Sequence, residues 1–202
     1  MKPFHLRLES NVAAAFPLMK RFGTITIDVY PAGFRATTIW LRAFSRNPRT
    51  ITLENPLSRT YVERPMSAIG DIVRFGAGRS TNIGAPRTVQ VHKGKAAGLP
   101  SHRFRLIYDR TNFVDVWTTT ALGPTPAFRA FAEELVRALS PRSAAVLRSV
   151  TGTPIYVELN SEEHRKLPVV VPKWIVWNAA GEAAALRVSP WMFPAPFGTI
   201  FK

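Results

Sequence analysis

The sequence predicts a mainly β protein of the α+β class. The expected core is a seven-stranded antiparallel barrel or sandwich closed by an amphipathic helix, followed by a helix-plus-hairpin extension and an extended tail. Three observations predict it. Period-two alternation and β-branched residues recur between residues 24 and 120. Turn chemistry drawn from 17 prolines and 12 glycines separates nearly all of those runs. A single strong stretch of helical periodicity then follows them.

The strands are expected at Thr24–Tyr30, Arg35–Phe44, Arg49–Leu53, Asp71–Phe75, Arg87–His92, Arg103–Tyr108 and Asn112–Thr120. Pro31-Ala32-Gly33, Asn47-Pro48, Asn55-Pro56, the glycine-dotted stretch 76–84 and a loop over 93–100 punctuate them. Thr125 can cap the helix and Pro126 suits its first position. Phe128, Phe131, Ala132, Leu135, Ala138 and Leu139 share one face, while Arg129, Glu133, Glu134 and Arg137 share the other. A shorter helix restarts at Ser140-Pro141 and should end at Gly152. Strands at Pro154–Leu159, Val169–Trp177 and Ala183–Val188 complete the regular structure.

Residues 1–22 place Leu8, Val12, Ala15, Met19 and Phe22 at helical spacing beside Lys2, Arg7, Lys20 and Arg21. That pattern predicts an amphipathic helix broken near Pro17, with a mitochondrial address as the second reading. No secretory apolar core is present, so an intracellular site, the mitochondrion included, is expected. No apolar run reaches the roughly 18 to 20 residues that cross a bilayer. The segments 1–23, 24–139 and 140–202 are read as an extension, a β domain with its closing helix, and a helix–hairpin–tail appendage.

Seven consecutive strands followed by one amphipathic helix, over about 24–139, resemble the pleckstrin-homology-like split barrel. The resemblance implies that helix 126–139 plugs one open end, and that the chain docks proteins, peptides or lipids instead of catalysing a reaction. The sequence departs from the classical family in two places. Helix 126–139 lacks the family's tryptophan, and hairpin 25–42 lacks its lysine-rich phosphoinositide pattern.

Charge is the most informative feature for function. The 202 residues are 46% hydrophobic, ample for a core, yet carry 27 cations against 13 anions for a net +14. That excess is beyond what solubility requires and calls for a polyanionic neighbour. Residues 74–110 alone hold eight cations and one acid, a net +7 and so half the total. They are Arg74, Arg79, Arg87, Lys93, Lys95, Arg103, Arg105 and Arg110. Alternation turns Phe104, Leu106 and Tyr108 to one side of their strand and Arg103 and Arg105 to the other, which predicts an outward basic ridge. RNA, read by backbone and shape, is the first partner expected on that ridge; an anionic membrane surface is the alternative.

The tail from 189 to 202 sets Trp191, Phe193, Phe197 and Phe201 among three prolines. It is expected to lie extended and to contact either its own domain or a neighbouring subunit of a larger assembly.

Chemistry is sparse. With no cysteine there is no disulfide, thiol catalysis or cysteine-held metal. His5, His92, His102 and His164 are too scattered to be ligands, so no metal and no cofactor is expected. The loop Gly76-Ala77-Gly78-Arg79-Ser80-Thr81 lacks the glycine spacing of a phosphate cradle and reads as a basic turn. Adjacent acids Glu133-Glu134 and Glu162-Glu163 diverge in direction and do not converge on a substrate. The expectation is a non-catalytic docking subunit.

Overall fold

The computed structural model describes residues 3–11, 14, 20, 22–77, 86, 88–139, 141–179 and 182–200. Its first six strands are β1 (Phe4–Ser10), β2 (Ile25–Tyr30), β3 (Gly33–Thr37), β4 (Arg42–Ser45), β5 (Thr50–Asn55) and β6 (Thr60–Pro65). A 3-10 turn at Met66–Ala68 leads into helix α1 (Ile69–Ala77). Three strands follow, β7 (Thr88–Ala96), β8 (Leu99–Ile107) and β9 (Phe113–Thr119), then helices α2 (Pro126–Leu139) and α3 (Pro141–Leu147). The hairpin β10 (Thr153–Asn160) and β11 (Leu167–Trp177), the short helix α4 (Glu182–Ala185), β12 (Phe193–Pro194) and a 3-10 turn at Phe197–Thr199 finish the chain.

All twelve strands join one sheet, ordered β12-β6-β5-β4-β3-β2-β1-β11-β10-β9-β8-β7. This corrects the expected seven-stranded barrel closed by a helix. Two antiparallel meanders meet where β1 pairs with β11, through Phe4↔Trp177 to Ser10↔Val170. Helix α2 lies flat on the sheet, setting Phe131 against Phe34 with ring centroids 4.5 Å apart, and packs beside α1 and α3.

Several local readings change for identifiable reasons. Residues 4–10 alternate, and of the apolar residues expected at helical spacing only Leu8 lies among them; Val12, Ala15, Pro17 and Met19 lie outside the described residues. With a neighbour available on both edges the alternation wins, burying Phe4, Leu6 and Leu8 at 1% exposure or less. The expected strand Arg35–Phe44 is two strands, because Thr38 Oγ1 accepts from Leu41 N at 2.9 Å and closes a turn. The expected strand Asp71–Phe75 is helical, since Ile69, Ile72 and Val73 bury one face at i, i+3 and i+4. The expected strand Ala183–Val188 instead opens on the helical turn Glu182–Ala185, and Leu186 just beyond it drops onto Tyr30 and Phe44. The expected loop 93–100 is strand up to Ala96 and again from Leu99: Ala97 (φ 51°) and Gly98 (φ 75°) make a two-residue turn of the hairpin type with both φ positive. Strand β6 has no counterpart among the expected strands.

Side chains on one sheet face, among them Phe4, Leu6, Val29, Phe34, Leu53 and Ile155, form the main core with α1 and α2. On α2 the pair Arg129–Glu133 closes at 3.6 Å, whereas Arg137 takes Glu134 at 2.6 Å instead of Glu133. Thr125 hydrogen-bonds Thr153 through its hydroxyl at 2.8 Å, tying the helix start to β10.

The tail packs on its own domain. Leu186 covers the outer sheet face at Gly33, where any Cβ would collide with Ser45 O and Leu186 Cδ1. Ser189 N donates to Glu54 Oε1 at 2.8 Å, and β12 adds in parallel to β6. The chain then rounds the sheet edge and inserts Ile200, fully buried, into the main core; Asn55 Nδ2 donates to its carbonyl at 2.8 Å.

Candidate functional site

On the outer sheet face, opposite the helices, each meander carries a buried aspartate gripped by arginine. Asp115 on β9 sits across from Arg105 on β8. Arg105 donates from Nε and Nη2 to the two carboxylate oxygens, each at 2.7 Å. Arg103 Nη1 lies 4.0 Å from the same carboxylate, its guanidinium over Trp117, while that of Arg105 lies 4.1 Å from the Phe113 ring centroid. The Asp115 hydrogen bond holds the Arg105 guanidinium above its ordinary pKa. Trp117 reaches past β8 to β7, where an added Cβ on Gly94 would stand 2.8 Å from the indole.

Asp28 on β2 repeats the device. It receives Arg7 Nε at 2.7 Å and Nη2 at 3.1 Å, and it bonds His5 Nε2 at 2.8 Å. His5 stacks on Tyr30, and Arg7 lies 4.9 Å from the Trp174 ring centroid. These groups answer one another inside the fold. The sequence does not signal this, because Asp28 and Asp115 are distant in the chain from any obvious motif.

The expected ridge therefore divides. Arg103 and Arg105 face outward as alternation requires, but both are engaged by Asp115. Lys93 and Lys95 are exposed on β7 and point to the opposite, helix-bearing face. Neither has a carboxylate partner among the described residues. Arg110 is exposed in the β8–β9 turn, which Asp109 closes by accepting from Thr111 N and Asn112 N. Those bonds, with the Asn112 side chain, pull the Asp109 carboxyl down to about 2. Arg74 lies in helix α1, not in a strand, and Arg79 and Arg87 lie outside the described residues.

The tail residues divide as well. Phe197 is half-buried with Arg64 over its ring, 4.8 Å from the centroid. Trp191 and Phe193 stay 55% and 67% exposed; Phe201 lies outside the described residues. They are not alone. The β3–β4 turn exposes Ile39 at 82% and the β5–β6 turn exposes Leu57 at 80%. Because Arg42 pairs with Glu54 across β4 and β5, both turns emerge side by side at one end of the sheet. Phe193 N donates to Arg59 O at 2.9 Å, which brings the tail to the same corner. Exposed Arg59 belongs to that turn, and exposed Lys20 precedes the Phe22 ring that stacks on Trp40 of the other. Glu54, which leads into the β5–β6 turn, is fully buried. Sequence reading found the tail's part of this corner and missed Ile39 and Leu57, whose single exposed positions carry no periodic signal.

No group of three His, Asp or Glu side chains among the described residues could hold a metal ion, and no described helix is long and apolar enough to cross a membrane. A cleft of about 20 Å³ between the sheet and α2–α3, lined by Val116, Thr118, Arg129 and Leu147, admits a single water.

Tyr156 provides a pH-dependent probe of the Asp115 region. Burial, then its 2.9 Å hydrogen bond to Glu158 Oε2, push its hydroxyl up to about 12. A folded-state pKa above the unfolded value of about 10 contributes stability that is full below pH 10 and is lost as pH rises through 12. Burial also raises the Tyr108 hydroxyl, so tyrosinate absorbance is expected to show more than one late-ionising group, and Tyr156→Phe should remove the Tyr156 contribution together with its share of the alkaline destabilisation.

No protein-family model matches the chain, and no curated protein matches it. A solved structure described as an uncharacterized conserved protein from Thermus thermophilus is similar over 96% of this chain and 89% of its own, at 7% identity and a TM-score of 0.48.

Proposed function

We propose that the protein is a non-catalytic docking module that seats its turn-and-tail corner on an anionic lipid bilayer. The observation that carries this reading is that four large exposed apolar side chains, Ile39 and Leu57 on neighbouring turns and Trp191 and Phe193 of the tail, come to one end of the sheet with exposed Arg59 and Lys20. Exposed patches of this kind on a folded chain mark contact with something apolar. Aromatic side chains flanked by cations suit the headgroup–acyl boundary, where each cation adds about 1 kcal/mol of attraction to anionic lipid. The net charge of +14 draws the whole molecule toward such a surface. An RNA-binding ridge has less support, because Arg103 and Arg105 are engaged by Asp115 and the lysines face the other way.

The test is co-sedimentation with vesicles of phosphatidylcholine alone or mixed with phosphatidylglycerol, at low and high salt. Binding should need the anionic lipid and weaken with salt. Replacing Trp191 and Phe193 together by alanine should cost about 2 kcal/mol, or roughly 30-fold in partitioning. Equal binding by that variant, or salt-sensitive binding to single-stranded RNA with none to vesicles, overturns the reading and returns the function to the β7 lysines, Lys93 and Lys95.

A further inference from the structure

Strand β7 ends the sheet order, so one of its edges meets no other strand among the described residues. Its hydrogen-bonding phase follows from the two-residue turn. The residues flanking such a turn form a bonded pair, which makes Ala96↔Leu99, Gly94↔Ser101 and His92↔Arg103 the bonded positions of β7 and β8. Lys95 faces Pro100, which has no N–H to give, in agreement with that phase. The N–H and C=O groups of Val89, Val91, Lys93 and Lys95 therefore point out along the open edge. Alternation also puts these four side chains on one face, and all four are exposed, Val89 at 38% and Val91 at 55%.

We propose that the β7 edge accepts an extended acidic segment of a partner protein as an added antiparallel strand. Four residues offering both backbone groups supply the affinity of strand addition, and the side chains beside them set the sequence taken. Reading antiparallel, the guest presents acids opposite Lys95 and Lys93 and aliphatic residues opposite Val91 and Val89, at alternate positions. A second copy does not fit. Pairing β7 with itself sets lysine against valine, provides no carboxylate, and brings two chains of net charge +14 together. The lysines that keep copies apart leave the edge open to carboxylates.

The probe is a fluorescein-labelled nonapeptide with two glutamates and then two valines at alternate positions, separated by threonines. Anisotropy should report saturable binding to the full chain, and amide exchange should slow at Val89, Val91, Lys93 and Lys95 but not at His92, whose N–H already serves β8. Replacing both lysines by glutamate (K93E, K95E) should weaken binding about tenfold, and a lysine-for-glutamate peptide should restore it. A peptide N-methylated at the pairing amides should not bind. The proposal fails if the unmodified peptide shows no binding at millimolar concentration, if the methylated peptide binds equally, or if the four amides stay unprotected. Sedimentation showing a β7-dependent dimer would overturn it in favour of self-pairing.

Discussion

Cutting the chain after Val188 is expected to abolish folding, with loss of the cooperative thermal transition and of near-ultraviolet ellipticity. The deleted residues include Met192 at 7% exposure and fully buried Ile200. Removing Ile200 alone opens a cavity in the main core, a change that typically costs about 2–5 kcal/mol. The larger cost comes from Glu54. Its side chain is wholly buried; without the tail it loses its Ser189 N–H donor and, among the described residues, keeps Arg42, 3.9 Å away. A buried carboxylate stripped of its hydrogen-bond donor costs several kcal/mol more. Asn55 also loses the Ile200 carbonyl it donates to. The sum reaches the whole stability of an ordinary domain, about 5–15 kcal/mol. Ile200→Ala is the graded form of the test and should lower stability without preventing folding. A truncated chain that melts like the full one would mean that the tail is an appendage and that residues 3–188 complete the core by themselves.

How far the fold was legible depended on whether local signals had rivals. Helix 126–139 was readable because proline at its start, a wide apolar face and i,i+4 ion pairs all agree. Strands β2, β5, β8 and β9 were readable because turn residues bracket clean alternation. Residues 69–77 and 182–186 were not, since the few apolar residues in each segment fit either period, and burial against α2 or Tyr30 decides between them. The sheet order was out of reach for another reason. Pairing β1 with β11 joins residues some 170 apart, and no local pattern specifies so distant a partner. The site was half legible. The excess of cations in 74–110 is plain from composition, but whether an arginine is free depends on a carboxylate brought beside it by pairing, as Asp115 is beside Arg105.

Replacing Asp115 by alanine is expected to destabilise the protein by about 3 kcal/mol, lowering the melting temperature by roughly 10 °C for a chain of this size. Asp115 is 3% exposed and joins both carboxylate oxygens to Arg105. Without it, Arg105 and Arg103 remain beside each other with their side chains only 28% exposed, and Arg103 Nε already lacks a hydrogen-bond partner. The penalty is largely that of stranding the charges, so Asp115→Leu combined with Arg105→Leu should recover much of the loss. Alkaline pH offers no escape, because the lone guanidinium stays charged throughout the accessible range. The outcome also decides how these arginines are used. A loss near 3 kcal/mol means that the Arg105 guanidinium is spoken for by the fold and is not offered to phosphate. A loss below about 1 kcal/mol would mean that both arginines turn readily to solvent, restoring a β8 basic face that competes with the lipid-docking corner as the surface that meets a polyanion.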